Sequence, residues 1–179
     1  MRKFLIICAA VLRILLLAFI GGQREYILRT GRTIYLRTVP VDPRDFFRGD
    51  YVRLRYEISD IDSKYYRDGL LTETKNEIRG KQVYVVLKVD GNDLANIVYV
   101  TDKKPAKGQL YIRGRCSDDY YSWHVYIKVL YGIEAYFVEQ GKGKELENRA
   151  FGSNTAFDMK VALGGNGIAV LNGYRRQAK

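Results

Sequence analysis

The sequence predicts an all-β domain carried on a single amino-terminal transmembrane helix. Three observations carry that prediction. An apolar run fills most of the first 22 residues, and short stretches of alternating apolar and polar positions recur through the remainder. The inventory of 15 Tyr and 17 Gly against 3 Pro suits strands joined by tight turns. A hydrophobic share of 47% with 13% aromatic residues excludes a disordered chain. At 179 residues there is room for one domain with a core and a small attachment. The division predicted is an anchor over residues 1–23 and a β-rich domain over 24–179, a mostly antiparallel β-sandwich or barrel-like fold.

Phe4 to Ile20 is apolar throughout except for Arg13, and Gly21-Gly22 extends the run. At about 1.5 Å per residue it spans roughly the 30 Å of a hydrocarbon core. Arg13 costs on the order of 3 kcal/mol at mid-membrane, whereas the twelve Leu, Ile, Val and Phe side chains return about 4 to 7 kcal/mol together, so insertion wins. A cleaved signal peptide needs small residues at spaced positions after the core. Phe19-Ile20-Gly21-Gly22-Gln23 supplies them poorly, and a retained anchor is preferred. Arg13 either snorkels towards an interface or faces a carboxylate on another transmembrane helix, which would make the anchor a docking element. Arg24, Arg29, Arg32 and Arg37 outnumber Arg2 and Lys3 and point to a cytoplasmic domain, whereas the short amino-terminal tail and early anchor point the other way.

Beyond the anchor, Arg24–Val39 reads as an extended segment broken at Gly31, with Ile34 and Leu36 apolar against Tyr35 and Arg37. Pro40-Val41-Asp42-Pro43-Arg44-Asp45 forces a turn, because each proline restricts itself and its predecessor. A strand follows over Tyr51–Ile58. Val52, Leu54, Tyr56 and Ile58 form its core face and Tyr51, Arg53, Arg55 and Glu57 its wet face. Asp60–Gly80 is polar and weakly periodic, a loop or a short helix around Leu70–Ile78. Strands are predicted at Gln82–Val89, Asn96–Thr101 and Gln109–Arg115, with turn chemistry at Asp90-Gly91-Asn92-Asp93. Ser122–Tyr131 alternates, with Trp123, Val125, Ile127, Val129 and Tyr131 on one face. Tyr136–Val138 continues as strand, Glu145–Arg149 reads as a helical turn, and a final hairpin pairs Asp158–Leu163 with Ile168–Leu171.

The formal charge is +10, and outside the first 22 residues 27 cations face 20 acids, a net of +7. Such a domain favours an anionic neighbour, whether lipid headgroups, acidic envelope polymer or nucleic acid; the same charge also serves plain solubility. Cys8 and Cys116 would sit in different media, so no bridge is expected, and Ile7 disfavours lipidation of Cys8.

Gly49-Asp50-Tyr51-Val52-Arg53-Leu54-Arg55-Tyr56 matches the signature of the GDYXXLXY family, a group of bacterial membrane-anchored proteins. The resemblance extends over Pro40–Arg44, Arg48–Ile58 and Tyr131–Gly143 running to Glu147, while Asp60–Glu77 looks expanded. It implies a single-pass protein of the cell membrane with an extracytoplasmic domain, and with Arg13 it points to a polytopic membrane protein as partner. It implies no reaction.

The charged residues of these motifs are the candidate site. Asp42, Arg44, Arg48 and Asp50, with Asp45, cluster in one loop; Tyr51, Arg53 and Arg55 face outward; Glu134 and Glu139 lie in the second motif. Should the two motifs meet in space, these residues form an interaction surface. The competing reading is structural, because acids cap turn amides and Arg–Asp pairs hold loops in register. No catalytic, cofactor or metal residue is assigned. His124 is the sole histidine, no Gly-rich phosphate loop occurs, and Ser59, Ser63, Ser117, Ser122 and Ser153 lack a nucleophile context. The expectation is a non-enzymatic binding or structural subunit of the envelope, associated with the bilayer and a polytopic membrane protein. The alternative is a basic β domain binding an anionic polymer, with nucleic acid the less expected ligand, and a membrane-anchored hydrolase comes third.

Overall fold

The computed structural model describes residues 2–39, 51–72, 75–117, 126–137 and 157–176. Among the described residues one long helix, α1 (Arg2–Thr30), leads into ten strands: β1 (Arg32–Arg37), β2 (Tyr51–Arg53), β3 (Asp60–Asp62), β4 (Gln82–Val89), β5 (Ala95–Thr101), β6 (Tyr111–Cys116), β7 (Tyr126–Leu130), β8 (Ala135–Phe137), β9 (Phe157–Leu163) and β10 (Ala169–Arg176). A four-residue helix, α2 (Lys75–Ile78), and single 3-10 turns fill the stretch between β3 and β4.

α1 is long and apolar enough over Lys3–Thr30 to cross a membrane, and none of its apolar window is covered by the rest of the protein. It runs to Thr30, past the boundary predicted at Gln23, where the sequence predicts extended chain from Arg24. Gln, Arg, Glu and Leu are good helix formers, and Glu25 pairs with Arg29 one turn on, its Oε1 2.6 Å from Nε. The end of the apolar run thus marks a change in side-chain polarity, not of backbone. Gly31 stops the helix. Its amide donates to the Ile27 carbonyl at 2.8 Å, and a Cβ there would strike that carbonyl and lie 3.1 Å from the Leu163 oxygen.

The strands form sheets of order β1-β9-β10 and β3-β7-β6-β4-β5, with β2-β8 as a separate pair. Pairing is antiparallel throughout the ladders, for instance Ile34 opposite Val161 and Val85 opposite both Val100 and Ile112. Ile34, Leu36, Met159, Val161 and Leu163 of the first sheet pack on Val83, Val85, Leu87 and Ile112 of the second in one core. The sheets are also laced at their margins. The Tyr35 amide donates to Asp93 at 2.9 Å and the Arg113 amide to Gly167 at 2.8 Å, which curls the strands into a nearly barrel-shaped wall. On the opposite face of β9 and β10, Ile27 of α1 is buried against Ala162 and Val170.

The predicted strand Gln82–Val89 forms with those bounds, and the final hairpin forms with its second strand extended to Arg176 through an irregularity between Leu171 and Gly173. Ile127, Val129 and Tyr131 are buried as their alternation predicts, while Trp123 and Val125 lie outside the described residues. Two further elements differ. Tyr51–Ile58 is not one strand, because only Tyr51–Arg53 pairs and Glu57–Ser59 is a 3-10 turn. Leu54, Tyr56 and Ile58 are nevertheless buried and Arg53, Arg55 and Glu57 exposed. Asp60–Asp62, expected as loop, adds a strand beside β7, and Leu70 and Ile78 then turn into the core. The pieces predicted at Pro40–Asp45 and Glu145–Arg149 fall outside the described residues.

Candidate functional site

The two sequence motifs meet. β2 pairs with β8, Tyr51 opposite Phe137 and Arg53 opposite Ala135, and the Leu54 amide extends the contact by donating to the Glu134 carbonyl at 2.7 Å. Each motif then sends a tyrosine into the other. The Tyr56 hydroxyl donates to the Ile133 carbonyl at 2.6 Å, and the Tyr131 hydroxyl donates to the Ile58 carbonyl. The two phenols form a reciprocal clasp between segments far apart in sequence.

Both phenols belong to the core, Tyr56 with no exposed surface and Tyr131 nearly so. Burial pushes both well above the ordinary phenol range, and the nearby Glu134 charge adds to the effect. They therefore stay neutral and serve as donors. Space for Val129 and the Tyr131 ring depends on Gly114 of β6, where a Cβ would strike the Val129 side chain and lie 3.0 Å from the ring and 3.0 Å from the Leu130 oxygen.

Glu134 turns back on its own loop. Its carboxylate accepts the amides of Tyr131 and Gly132, the latter at 2.9 Å, and so fixes the bend that presents the Ile133 carbonyl to Tyr56. Arg55 is held by Asp60, its Nε 2.8 Å from Oδ2 with Nη2 on the same oxygen, which ties the motif to β3. Arg53 is exposed at the end of β2. Tyr51 is placed by its backbone in β2, and its side chain is outside the described residues, as are Asp42, Arg44, Arg48, Asp50 and Glu139. Arg13 is exposed on α1 amid apolar neighbours. Within the described part the motifs thus build a joint whose apolar and hydroxyl groups face inward, with Arg53 and Arg55 on its outer side.

A buried carboxylate escaped sequence reasoning. Asp158 of β9 is 3% exposed and stands between Arg37 of β1 and Arg175 of β10, its register partners on either side. Arg175 Nε approaches to 3.1 Å and Arg37 Nε to 3.8 Å, while the Arg175 guanidinium stacks 3.7 Å over the Tyr35 ring. The alternating pattern of β9 was the available signal, since it places Asp158 between two basic strands only once the strand order is known. A second pair joins Lys81 to Asp102 at 3.1 Å. Burial would raise the Asp102 carboxyl, but the hydrogen bond and charge of Lys81, with help from backbone amides, hold it below the usual carboxylate range.

Among the described residues no group of three or more His, Cys, Asp or Glu side chains is placed to hold a metal ion. Cys8 is exposed on α1 and Cys116 is buried in β6, and the two form no disulfide. No curated protein and no solved structure matches the chain. A family model described as GDYXXLXY protein matches residues 13–173, from the middle of α1 into β10. The octapeptide, the turn that receives its tyrosine and the core between them all fall within that match, and the protein belongs to the GDYXXLXY family.

Proposed function

We propose that the protein is a non-enzymatic binding or structural subunit, anchored in the membrane by α1, docked through that helix on a polytopic membrane protein, and carrying its β domain on the extracytoplasmic side. The observation that supports this reading most is the helix itself. From Phe4 to Ile20 its large apolar side chains are exposed, its own domain covers none of them, and Arg13 stands among them. A guanidinium at that depth costs on the order of 3 kcal/mol, and a carboxylate on a neighbouring helix offsets the cost while fixing the choice of partner. The motif joint is compatible with a structural role, because Tyr56, Tyr131 and Glu134 hold its two segments together.

The test is photo-crosslinking in the native membrane from Leu12 or Leu16, one on either side of Arg13, followed by identification of the attached protein. Arg13→Leu is expected to leave the chain in the membrane fraction and to abolish the adduct. An unchanged adduct refutes docking through Arg13. The net +7 outside the first 22 residues supports a second reading, capture of an anionic polymer. Binding that weakens steeply with rising salt supports it, and salt-insensitive capture of one membrane protein supports the first.

A further inference from the structure

Where α1 meets the β domain there is an open cleft of about 630 Å³. Gln23, Tyr26, Ile27 and Thr30 give it one wall, residues spaced to share a single helical face. Gln109–Tyr111 and the Leu163–Asn166 turn give the other. Its position along α1 is informative. The apolar run ends at Gly22, so a helix crossing the bilayer leaves the hydrocarbon at Gln23, and Thr30 lies about 10 Å farther out. The headgroup layer is about 5 to 8 Å deep on each side, so the cleft begins within that layer and opens at its outer edge.

The lining has two characters. Ile27, Leu110 and Leu163 are apolar, whereas Gln23, Gln109 and Asn166 are amides and Arg32 is a cation. No carboxylate lines the cleft among the described residues. Glu25, the acid nearest in sequence, is paired with Arg29.

We propose that this cleft seats the headgroup of one anionic glycerophospholipid. The phosphate sits at Arg32, and the glycerol lies against Leu110 and the edges that Ile27 and Leu163 show to the cleft. An amphipathic lining that begins at the headgroup layer, with one cation and no acid among the described residues, matches that ligand in charge and in mixed polarity. The site rests on α1 crossing the membrane, as in the function proposed above, but needs no protein partner.

The experiment reconstitutes the full chain into phosphatidylcholine vesicles with and without phosphatidylglycerol. Flotation confirms insertion, and native mass spectrometry after mild detergent extraction counts the lipids that stay bound. The expected result is one phosphatidylglycerol retained in preference to phosphatidylcholine. Arg32→Gln should weaken retention about five- to tenfold, the effect of one cation at a lipid surface made local. Gly165→Phe should weaken it as well by filling the cleft from a position where a Cβ meets nothing within 4 Å. Arg24→Gln, which changes an exposed cation outside the lining, should leave retention intact. Equal losses for Arg24→Gln and Arg32→Gln would show only a general surface field and overturn the site. Equal retention of the two lipids, or displacement by inorganic phosphate, overturns it too. Insertion without selective retention defeats the headgroup site alone, whereas failure to float defeats the membrane reading with it.

Discussion

Replacing Tyr56 by Phe removes a single oxygen from the core and leaves the Ile133 carbonyl without its donor at a residue only 3% exposed. A protein hydrogen bond contributes about 1 kcal/mol net, and stranding a buried acceptor raises the cost to about 2 kcal/mol. Tyr131→Phe does the same to the Ile58 carbonyl, at 4% exposure, and carries a similar cost. The two bonds close one clasp, so opening either loosens the backbone that the other needs. The double variant should therefore lose less than the sum of the singles, by at least about 0.5 kcal/mol. Urea titration of the full chain in detergent micelles, followed by the fluorescence of the single Trp, reads all four proteins. With a slope near 2 kcal/mol per molar, each single change lowers the midpoint by about 1 M. Midpoint shifts below about 0.2 M for both singles, or strict additivity in the double, refute the clasp as a joint that holds the two motifs.

The same phenols set the alkaline limit. Their folded pKa values lie above the unfolded value of about 10, so their contribution is complete below that pH and is lost progressively above it, as the unfolded chain sheds protons that the folded one keeps. Between pH 10 and 11 the fall in stability should be shallower in the double Tyr→Phe variant than in the parent, and parallel curves would refute the assignment. Asp158→Asn keeps the shape of the carboxylate but removes its charge from between Arg37 and Arg175; because both cations reach solvent, the loss should be about 1 to 3 kcal/mol by the same urea titration rather than collapse of the fold. Gly31→Ala forces the helix end away from the Ile27 carbonyl and Leu163, and should cost about 1 to 3 kcal/mol while leaving membrane insertion unchanged by flotation.

How much of this was legible in the sequence differs from element to element for physical reasons. Val83, Val85 and Leu87 alternate over a strand long enough for period two to stand out, and β4 forms with the bounds expected. Leu54, Tyr56 and Ile58 were recognisable as core, although the backbone beneath them is a short strand running into a 3-10 turn. Burial there is set by the opposite wall and not by a continuous ladder. Asp60–Asp62 is too short for any period to register, and it becomes a strand only because β7 lies beside it. The end of α1 is not legible in hydropathy, which reports where the apolar run stops and is blind to a helix that continues through polar residues to Thr30. The meeting of the two motifs was available as a hypothesis. That Tyr56 and Tyr131 would exchange hydrogen bonds was not, since their acceptors are backbone carbonyls that no side-chain pattern reveals. The capping role of Glu134 follows the general tendency of acids at turns, whereas Asp158 needed the order β1-β9-β10 before its two guanidinium neighbours came together.

The burial of Ile27 against Ala162 and Val170, with Gly31 as the only residue between α1 and β1, has a mechanical consequence. A domain on a flexible tether swings freely about its anchor; this one has no tether to swing on. In the membrane arrangement proposed above, any tilt or rotation of the helix is handed to the β domain as by a lever, so the heading of the outer surface, Arg53 and Arg55 included, follows that of α1.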